Sequence, residues 1–174
     1  MSSRLSISLR PARLADAAML NAWDEQPHVI AAGHDPEWDW EVELSRDVDW
    51  RTQLIAEASG RPVGILQIID PAREESQYWG EVSAGSRAID VWIGDPNDLS
   101  RGYGTAMMRL ALERCFAEEG VTAVLVDPLA SNVRAHKFYE RLGFRCLQRR
   151  WFGADECLVY RLEQAEFASA TSEG

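Results

Sequence analysis

The sequence predicts one α/β domain in which antiparallel hairpins flank a single strand–loop–helix unit. Strand-like runs separated by short turns occur at residues 52–70 and again at residues 144–162. Between them, a strand-like run at 88–93 leads through a loop with two glycines into a long helical segment. The chain has 174 residues, enough to bury a core without disulfides or metal ions. We expect one domain over residues 1–162, followed by a flexible tail, rich in Ala, Ser and Glu, at 163–174.

The first fifty residues predict one strand, one clear helix and a long irregular stretch. Apolar and polar residues alternate at 5–9, which is typical of a half-buried strand, and Pro11 ends the pattern. Residues 14–23 predict a helix whose apolar stripe consists of Leu14, Ala17, Ala18 and Leu20. Proline, glycine and tryptophan within 24–40 predict a loop with at most a short helix, and residues 41–49 favour a second helical segment.

The middle of the chain predicts a hairpin and then a loop. Residues 52–58 and 63–70 have the composition of two antiparallel strands, and Ser-Gly-Arg-Pro at 59–62 predicts a tight turn between them. Gly64 lies inside the second strand, which indicates a bulge or a close approach by another backbone. The polar residues 71–85 predict a loop that also contains two aromatic side chains.

The second half of the chain alternates strands with helices. A strand at about 87–93 precedes the glycine loop, and the helix after that loop runs to about Glu119. The apolar face of this helix consists of Met108, Leu112, Cys115 and Phe116. A buried strand follows at 121–127, and a short helix within 131–143 begins at a Ser-Asn cap and ends at its glycine.

The most informative stretch is the loop Asp-Leu-Ser-Arg-Gly-Tyr-Gly-Thr at 98–105. A strand, a glycine-rich loop and a helix together favour phosphate binding, because glycines admit the anion and the first helical N–H groups point at it. The loop lacks the Gly-Lys-Ser/Thr of nucleoside-triphosphate P-loops and the Gly-x-Gly-x-x-Gly spacing of dinucleotide folds. A plain strand-to-helix turn is the alternative that this loop alone leaves open.

Composition argues against several classes of partner. The net charge of −10 disfavours nucleic acids and anionic membranes as ligands. No apolar run approaches the ~20 residues that span a bilayer, and the first residues lack the apolar segment of a signal peptide, so we expect a cytoplasmic protein. The three cysteines and three histidines have no metal-ligand spacing, so we expect free thiols and no metal site.

Acidic residues are concentrated between positions 21 and 50. Only one base, Arg46, accompanies them there. The acidic residues are Asp24, Glu25, Asp35, Glu37, Asp39, Glu41, Glu43, Asp47 and Asp49. Such a field attracts a small cationic ligand. A solvated helical face is an equally good interpretation of residues 41–49.

Two segments of the second half carry a resemblance to a known superfamily. The glycine loop matches the pattern Gln/Arg-x-x-Gly-x-Gly/Ala except at its first position, which is Leu99, and residues 132–144 match the more specific Asn…Tyr-x-x-x-Gly-Phe. With the strand at 89–93, these segments resemble the GNAT superfamily of N-acetyltransferases. The resemblance implies a mixed, mostly antiparallel sheet, splayed between two central strands and flanked by helices on both faces, with acetyl-CoA as the cofactor.

Shorter motifs resemble aminoglycoside 6′-N-acetyltransferases, which are enzymes of antibiotic resistance. Arg-Ala-Ile-Asp at 87–90 is similar to their Arg-Gly-Ile-Asp, and Asp-Pro-x-x-x-Asn-x-Arg-Ala at 127–135 repeats their later motif. Trp23 and His28 stand at a distance similar to that of the early Trp and His of those enzymes. Residues 30–50 depart from them, since those enzymes place aromatic and acidic substrate contacts in a different order.

The resemblance implies where acetyl-CoA binds. Its pantetheine arm would lie between two splayed strands, 89–93 and 123–127, and pair with backbone groups of Val91 and Ile93. Amides of the glycine loop would hold the diphosphate, and Arg101 would add charge. The implied cofactor-binding residues are Val91, Trp92, Ile93, Leu99, Ser100, Arg101, Gly102, Tyr103, Gly104, Thr105, Asn132, Ala135 and Tyr139.

Acetyl transfer to an amine requires a base for the ammonium group and an acid for the leaving thiolate. Asp90, on the central strand, is the candidate base and ammonium anchor, and pairing with a basic neighbour such as Arg87 is its alternative interpretation. Tyr139 stands where the superfamily places the general acid, and core packing is its alternative. Asn132 would bond the pantetheine arm, and helix capping is its alternative.

The predicted acceptor is a small polycationic amine, foremost an aminoglycoside. The predicted acceptor-binding residues are Asp90, Asp127, Trp38, Tyr78 and Trp79, of which the last four are also explained by turn formation or packing. Other amines remain open, namely a siderophore hydroxylysine, a polyamine or a protein N-terminus, as does a non-catalytic acyl-CoA-binding module. A hydroxylysine acceptor requires a basic residue in the pocket, for which Arg73 and Arg87 are candidates. We expect a monomer or a homodimer.

Overall fold

The computed structural model describes residues 5–172, and within them it has seven strands and six helices. The strands are β1 (Ile7–Pro11), β2 (Arg51–Ala58), β3 (Arg61–Ile69), β4 (Ser86–Ile93), β5 (Ala123–Val126), β6 (Arg145–Phe152) and β7 (Asp155–Glu163). The helices are α1 (Ala17–Asp24), α2 (Pro27–Ala31), α3 (Trp40–Ser45), α4 (Tyr103–Ala117), α5 (Val133–Arg141) and α6 (Gln164–Ser172), and short 3-10 helices occupy Leu14–Asp16 and Pro96–Asp98. None of these helices is long and apolar enough to cross a membrane.

The seven strands form one sheet in the order β1-β2-β3-β4-β5-β7-β6. β1 runs antiparallel to β2, and β7 runs antiparallel to both β5 and β6. β4 and β5 pair in parallel from Ser86↔Ala123 to Ala88↔Leu125. The mixed, mostly antiparallel sheet predicted from the sequence is therefore confirmed. Residues 90–93 of β4 lie beyond the parallel pairing.

The chain folds into two compact units. The first unit contains the residues up to 67 together with 90–110, and the second contains 68–89 together with the residues from 111 onward. The buried centre of the first unit consists of Ala17, Leu20, Trp40, Ile55 and Ile65. That of the second unit consists of Trp79, Ala88, Leu125, Phe152, Cys157 and Val159. The expectation of one domain over residues 1–162 stays a prediction.

The predicted hairpin in the first unit forms with the expected tight turn. Ser59 and Gly60 both have positive φ, 51° and 82°, which is the backbone geometry of a type I′ turn and matches the twist of paired strands. The close approach predicted at Gly64 is confirmed. A Cβ there would lie 2.6 Å from the carbonyl oxygen of Trp92 and 2.8 Å from Cε of Met107. Glycine is thus required for the packing of this strand, and the Trp92 carbonyl faces it.

The first predicted helix begins differently from the sequence prediction. The chain forms a 3-10 turn over Leu14–Asp16, and α1 starts only at Ala17. Leu14, predicted on the apolar stripe, is 56% exposed, whereas Ala17 and Leu20 are buried. The change from three to 3.6 residues per turn moves Leu14 off the buried face.

The C-terminal segment, predicted as a flexible tail, forms a helix, and its flexibility stays a prediction. α6 extends over Gln164–Ser172, and Phe167 packs against Phe116 with ring centroids 5.3 Å apart. The Gln164 amide also donates to the carbonyl oxygen of Phe116 at 3.2 Å. The apolar contact of one phenylalanine, inconspicuous in a polar sequence, gives this segment a packed face.

Candidate active site

The glycine loop leads into the N-terminus of the 15-residue helix α4. The amide of Ala106 donates to the carbonyl oxygen of Gly102 at 3.1 Å, so the N–H groups of residues 103–105 lie ahead of the helical ladder. Ser100 and Gly102 have positive φ, 61° and 84°. The loop therefore offers backbone donors, together with the positive end of the helix dipole, to an anion such as a diphosphate.

The end of β4 presents backbone groups on the edge opposite β3. The amide of Gly94 donates to the carbonyl oxygen of Val63 at 3.0 Å, and the Trp92 carbonyl also faces β3. Because backbone groups alternate along a strand, those of Val91 and Ile93 point the other way. This orientation is the one required for pairing with a pantetheine arm, and the pairing itself stays a prediction.

The early histidine and tryptophan both contact this end of β4. His28 Nε2 lies 2.7 Å from the carbonyl oxygen of Ile93, so Nε2 carries the proton and donates. His28 Nδ1 is buried and has no partner within residues 5–172. The indole of Trp23 covers Gly94 so closely that a Cβ there would overlap the ring. Two residues that carry part of the sequence resemblance thus hold the strand end in place.

We expect His28→Leu to lower the free energy of unfolding by about 1–3 kcal/mol, because the Ile93 carbonyl loses its side-chain donor. His28→Gln keeps an N–H at a similar reach and is expected to lose clearly less. Urea denaturation of the two variants and the parent measures the difference. Equal losses in both variants would mean that ring packing, and not the hydrogen bond, holds the strand end.

Asp90 is half-buried on β4, and desolvation raises its pKa from 3.8 to about 6, while the charge of Arg51 opposes the rise. Arg87, the partner considered from the sequence, instead binds Glu118 at 2.7 Å and lies 3.5 Å from Asp70. The pairing of Asp90 with Arg87 is therefore not formed, and the role of Asp90 as a base stays a prediction.

Arg51 is the basic residue whose charge lowers the pKa of Asp90, and the sequence does not predict it. Its side chain is 4% exposed, and Nη2 donates to Glu43 at 2.6 Å. The guanidinium stacks over the rings of Trp38 and Trp50, with centroids at 5.3 and 5.1 Å. A lone arginine at a strand start carries no sequence signal for this role. The stack fixes Trp38, a predicted acceptor-binding residue, in the same unit as Asp90.

Several acids of the residue 21–50 cluster have structural partners. Asp24 accepts a hydrogen bond from the Trp40 indole and lies 2.9 Å from Nε2 of His34, while burial raises its pKa. Asp39 caps α3, and Glu43 binds two arginines. Neither a free acidic field nor a solvated helical face therefore describes the whole cluster. The charge count from the sequence overstates the field that a cationic ligand meets.

In the second unit, two predicted acceptor-binding residues meet. The Tyr78 hydroxyl donates to Asp127 at 2.6 Å, and its ring stacks on Phe152 at 4.4 Å between centroids. Trp79, only 5% exposed, packs edge-on against the same phenylalanine. Tyr78 is 45% exposed. Trp79 is thus a core residue that supports Phe152, whereas Tyr78 and Asp127 form a polar pair with accessible surface.

The second unit also contains Asn132 and Tyr139. Asn132 caps α5, since its Oδ1 accepts from the amide of Ala135 at 3.1 Å, and the capping interpretation is confirmed. Tyr139 is 7% exposed and packs against Phe138 and Phe144, with ring centroids 5.2 and 5.5 Å away. Packing accounts for its ring, and the predicted roles of Asn132 in cofactor binding and of Tyr139 as an acid stay predictions.

Comparison with known proteins decides the family. A family model described as an acetyltransferase (GNAT) domain matches residues 13–151. The chain belongs to the GNAT acetyltransferase family. As a member it is an N-acetyltransferase whose cofactor is acetyl-CoA.

Individual relatives agree with this family. An aminoglycoside N(6′)-acetyltransferase type 1 of Klebsiella pneumoniae is 31% identical over 80% of this chain and 74% of its own length. A lysine N-acyltransferase of Mycobacterium tuberculosis is 25% identical over 89% of this chain and 76% of its own. The crystal structure of the aminoglycoside acetyltransferase AAC(6′)-Ib with coenzyme A and kanamycin superposes with a TM-score of 0.87, at 26% identity, over 95% of this chain and 99% of that one. The GNAT fold predicted from the sequence is thereby confirmed.

Proposed function

We propose that this GNAT enzyme transfers the acetyl group of acetyl-CoA to the 6′-amine of an aminoglycoside. The observation that carries the proposal is the 31% identity to an aminoglycoside N(6′)-acetyltransferase over 80% of the chain. The likeness to an enzyme solved with kanamycin supports it, with a TM-score of 0.87. The chemistry of the residues on β4 is consistent with an amine acceptor.

Asp90 acts as the ammonium anchor and base. With a pKa of about 6, its carboxyl is mostly ionised at neutral pH and accepts a hydrogen bond from the incoming ammonium group. Since the desolvated carboxylate is more basic than an ordinary aspartate, it takes up the proton that the amine must lose before it becomes a nucleophile. Arg51 keeps this proton affinity from rising further.

The backbone of the glycine loop and of β4 holds the cofactor. Acetyl-CoA supplies an acetyl group activated as a thioester. The amides of residues 103–105 bind the diphosphate, and the Val91 backbone pairs with the pantetheine arm. In the second unit, Asn132 bonds the same arm and Ala135 leaves room beside it. Tyr139 acts as the acid that protonates the leaving sulfur, since a phenol of ordinary pKa near ~10 matches a thiolate.

The predicted acceptor-binding side chains are aromatic or acidic. Trp38, fixed by Arg51, provides an aromatic face in the first unit. Tyr78 and Asp127 provide an aromatic face and a carboxylate in the second, and Trp79 supports them from the core. Carboxylates and aromatic faces are the groups that bind an amino sugar with several ammonium groups.

A hydroxylysine acceptor is the second candidate, and Arg51 is the observation that favours it. That acceptor carries a carboxylate, which requires a cation near the reacting amine. Arg87 and Arg51 both have carboxylate partners, but Arg51 is the one whose charge acts on Asp90. The lysine N-acyltransferase relative, 25% identical over 89% of this chain, is consistent with it.

Release of free thiol from acetyl-CoA tests the proposal against this alternative. We expect thiol release above the no-acceptor rate with kanamycin and tobramycin, and none above it with hydroxylysine. Release with hydroxylysine alone would transfer the assignment to the siderophore class. Binding of CoA without turnover on either acceptor, or on a polyamine, would favour a non-catalytic acyl-CoA-binding module.

A further inference from the structure

The first residue of the glycine loop is a buried acid. Asp98 ends the 3-10 helix Pro96–Asp98, and its side chain is only 5% exposed. Arg61 binds both of its oxygens, with Nη1 2.7 Å from Oδ2 and Nη2 2.9 Å from Oδ1. Arg61 is the first residue of β3, so the bidentate pair joins the β2–β3 hairpin to the loop within the first unit.

The other contacts of this pair are weaker. Arg101 Nη1 lies 3.8 Å from Asp98 Oδ1, beyond hydrogen-bond distance, and its side chain is 58% exposed. Arg61 also interacts with the hydroxyl of Tyr103, the first residue of α4. The hydrogen bonds from Arg61 hold the pKa of Asp98 below its usual range in spite of burial, so Asp98 is an anion at neutral pH.

The negative charge of Asp98 disfavours diphosphate binding by the glycine loop. The amides of residues 103–105 attract a diphosphate, whereas a carboxylate four residues before Gly102 repels it. Water screens a charge poorly when the side chain is buried, so the compensation must come from the protein. The guanidinium of Arg61 donates to both carboxylate oxygens, and its positive charge compensates the negative charge of Asp98.

We propose that Arg61 is a positioning residue for cofactor binding, which neutralises Asp98 so that the loop presents an attractive field to the diphosphate of coenzyme A. The inference rests on the use of acetyl-CoA and is independent of which amine is the acceptor. A purely mechanical role is the competing explanation, in which the pair only ties the hairpin to the loop. The two explanations differ in what removal of Asp98 does.

Calorimetric titration with CoA, without any acceptor, separates them. We expect Arg61→Met to weaken CoA binding by about tenfold, because it leaves the Asp98 charge uncompensated. Asp98→Asn and the double variant Arg61→Met/Asp98→Asn are expected to bind within about threefold of the parent, because the repelling charge is gone. Equal weakening in Arg61→Met and Asp98→Asn would mean that the pair acts as a tie, and would overturn the proposal.

A second ligand, pantetheine, and two further variants serve as controls for this experiment. Pantetheine, which lacks the diphosphate, is expected to bind Arg61→Met and the parent alike, and an equal loss for pantetheine would contradict the proposal. Arg61→Lys keeps the charge and is expected to retain most of the CoA affinity. Arg149→Met removes an exposed arginine that is paired with Glu156 at 3.0 Å, and is expected to leave CoA affinity unchanged. Failure of acetyl transfer alone, with these affinities as expected, would count against the proposed acceptor and not against Arg61.

Discussion

Asp90→Asn is expected to lower kcat/KM for acetyl transfer by about 10²- to 10⁴-fold, the range that a positioned general base contributes. The amide keeps the size of the side chain, but it neither binds an ammonium as an anion nor takes up its proton. CoA affinity is expected to stay close to that of the parent, because the proposed cofactor contacts are backbone groups of β4 and the glycine loop, which the substitution leaves in place. Steady-state kinetics and calorimetry with CoA measure the two quantities separately.

The same substitution is expected to stabilise the fold at neutral pH. The pKa of Asp90 is about 6 when folded, against 3.8 as the reference, so the folded protein binds the proton more tightly and loses stability as the pH rises through about 6. Asparagine removes that loss, and the expected increase in the free energy of unfolding at pH 7.5 is about 1–3 kcal/mol.

Glu41→Gln, at an exposed position, is the control and is expected to change neither turnover nor stability. An Asp90→Asn variant that keeps more than about a tenth of the activity, or is less stable, would contradict the assignment.

Arg51→Met is expected to move the acidic limb of the pH–rate profile upward from its midpoint near pH 6, by about one pH unit. The active form of Asp90 is the carboxylate, and the positive charge of Arg51 favours that form. Without the charge of Arg51, a larger fraction of Asp90 is protonated at pH 7, so activity falls at that pH and recovers at higher pH. The profile of kcat/KM between pH 5 and 9 measures the midpoint.

Arg46→Met is the matched control for Arg51. Arg46 also binds Glu43, at 3.3 Å, and lies 5.9 Å from the centroid of the Trp50 ring, but Arg51 is the cation that acts on Asp90. We expect Arg46→Met to leave the midpoint unchanged and Arg51→Lys to restore it. A loss of activity at all pH values without a displaced limb would mean that Arg51 only supports Trp38.

The sequence predicts the parts of the fold that depend on short-range pattern. The β2–β3 hairpin, the close approach at Gly64 and the Asn132 cap all follow from a few neighbouring residues, and the structure contains each of them. The glycine loop and β4 are recognised in the same way, because their functional groups are backbone atoms whose positions follow from glycine placement and strand alternation. Such features need no knowledge of distant contacts.

The partners of the candidate site are long-range and leave no local signal. Arg51 meets Trp38 across 13 positions and acts on Asp90 across 39, and Arg61 binds Asp98 across 37. Nothing next to Arg51 or Arg61 distinguishes them from surface arginines before the strands are paired. For Trp79 the sequence leaves a binding wall and core packing open, and the fold buries the ring against Phe152. A count of acidic residues also misses long-range partners, because it ignores contacts such as that of Asp24 with His34.

The regiochemistry of the product tests the central claim most directly. Kanamycin is incubated with acetyl-CoA and the enzyme, and the product is identified by mass spectrometry and NMR, with Asp90→Asn alongside. We expect a single added acetyl group on the 6′-amine, one free thiol per acetyl group, and no product from the variant. Unmodified kanamycin in the presence of enzyme that binds CoA, or acetylation at a different amine, would contradict the claim.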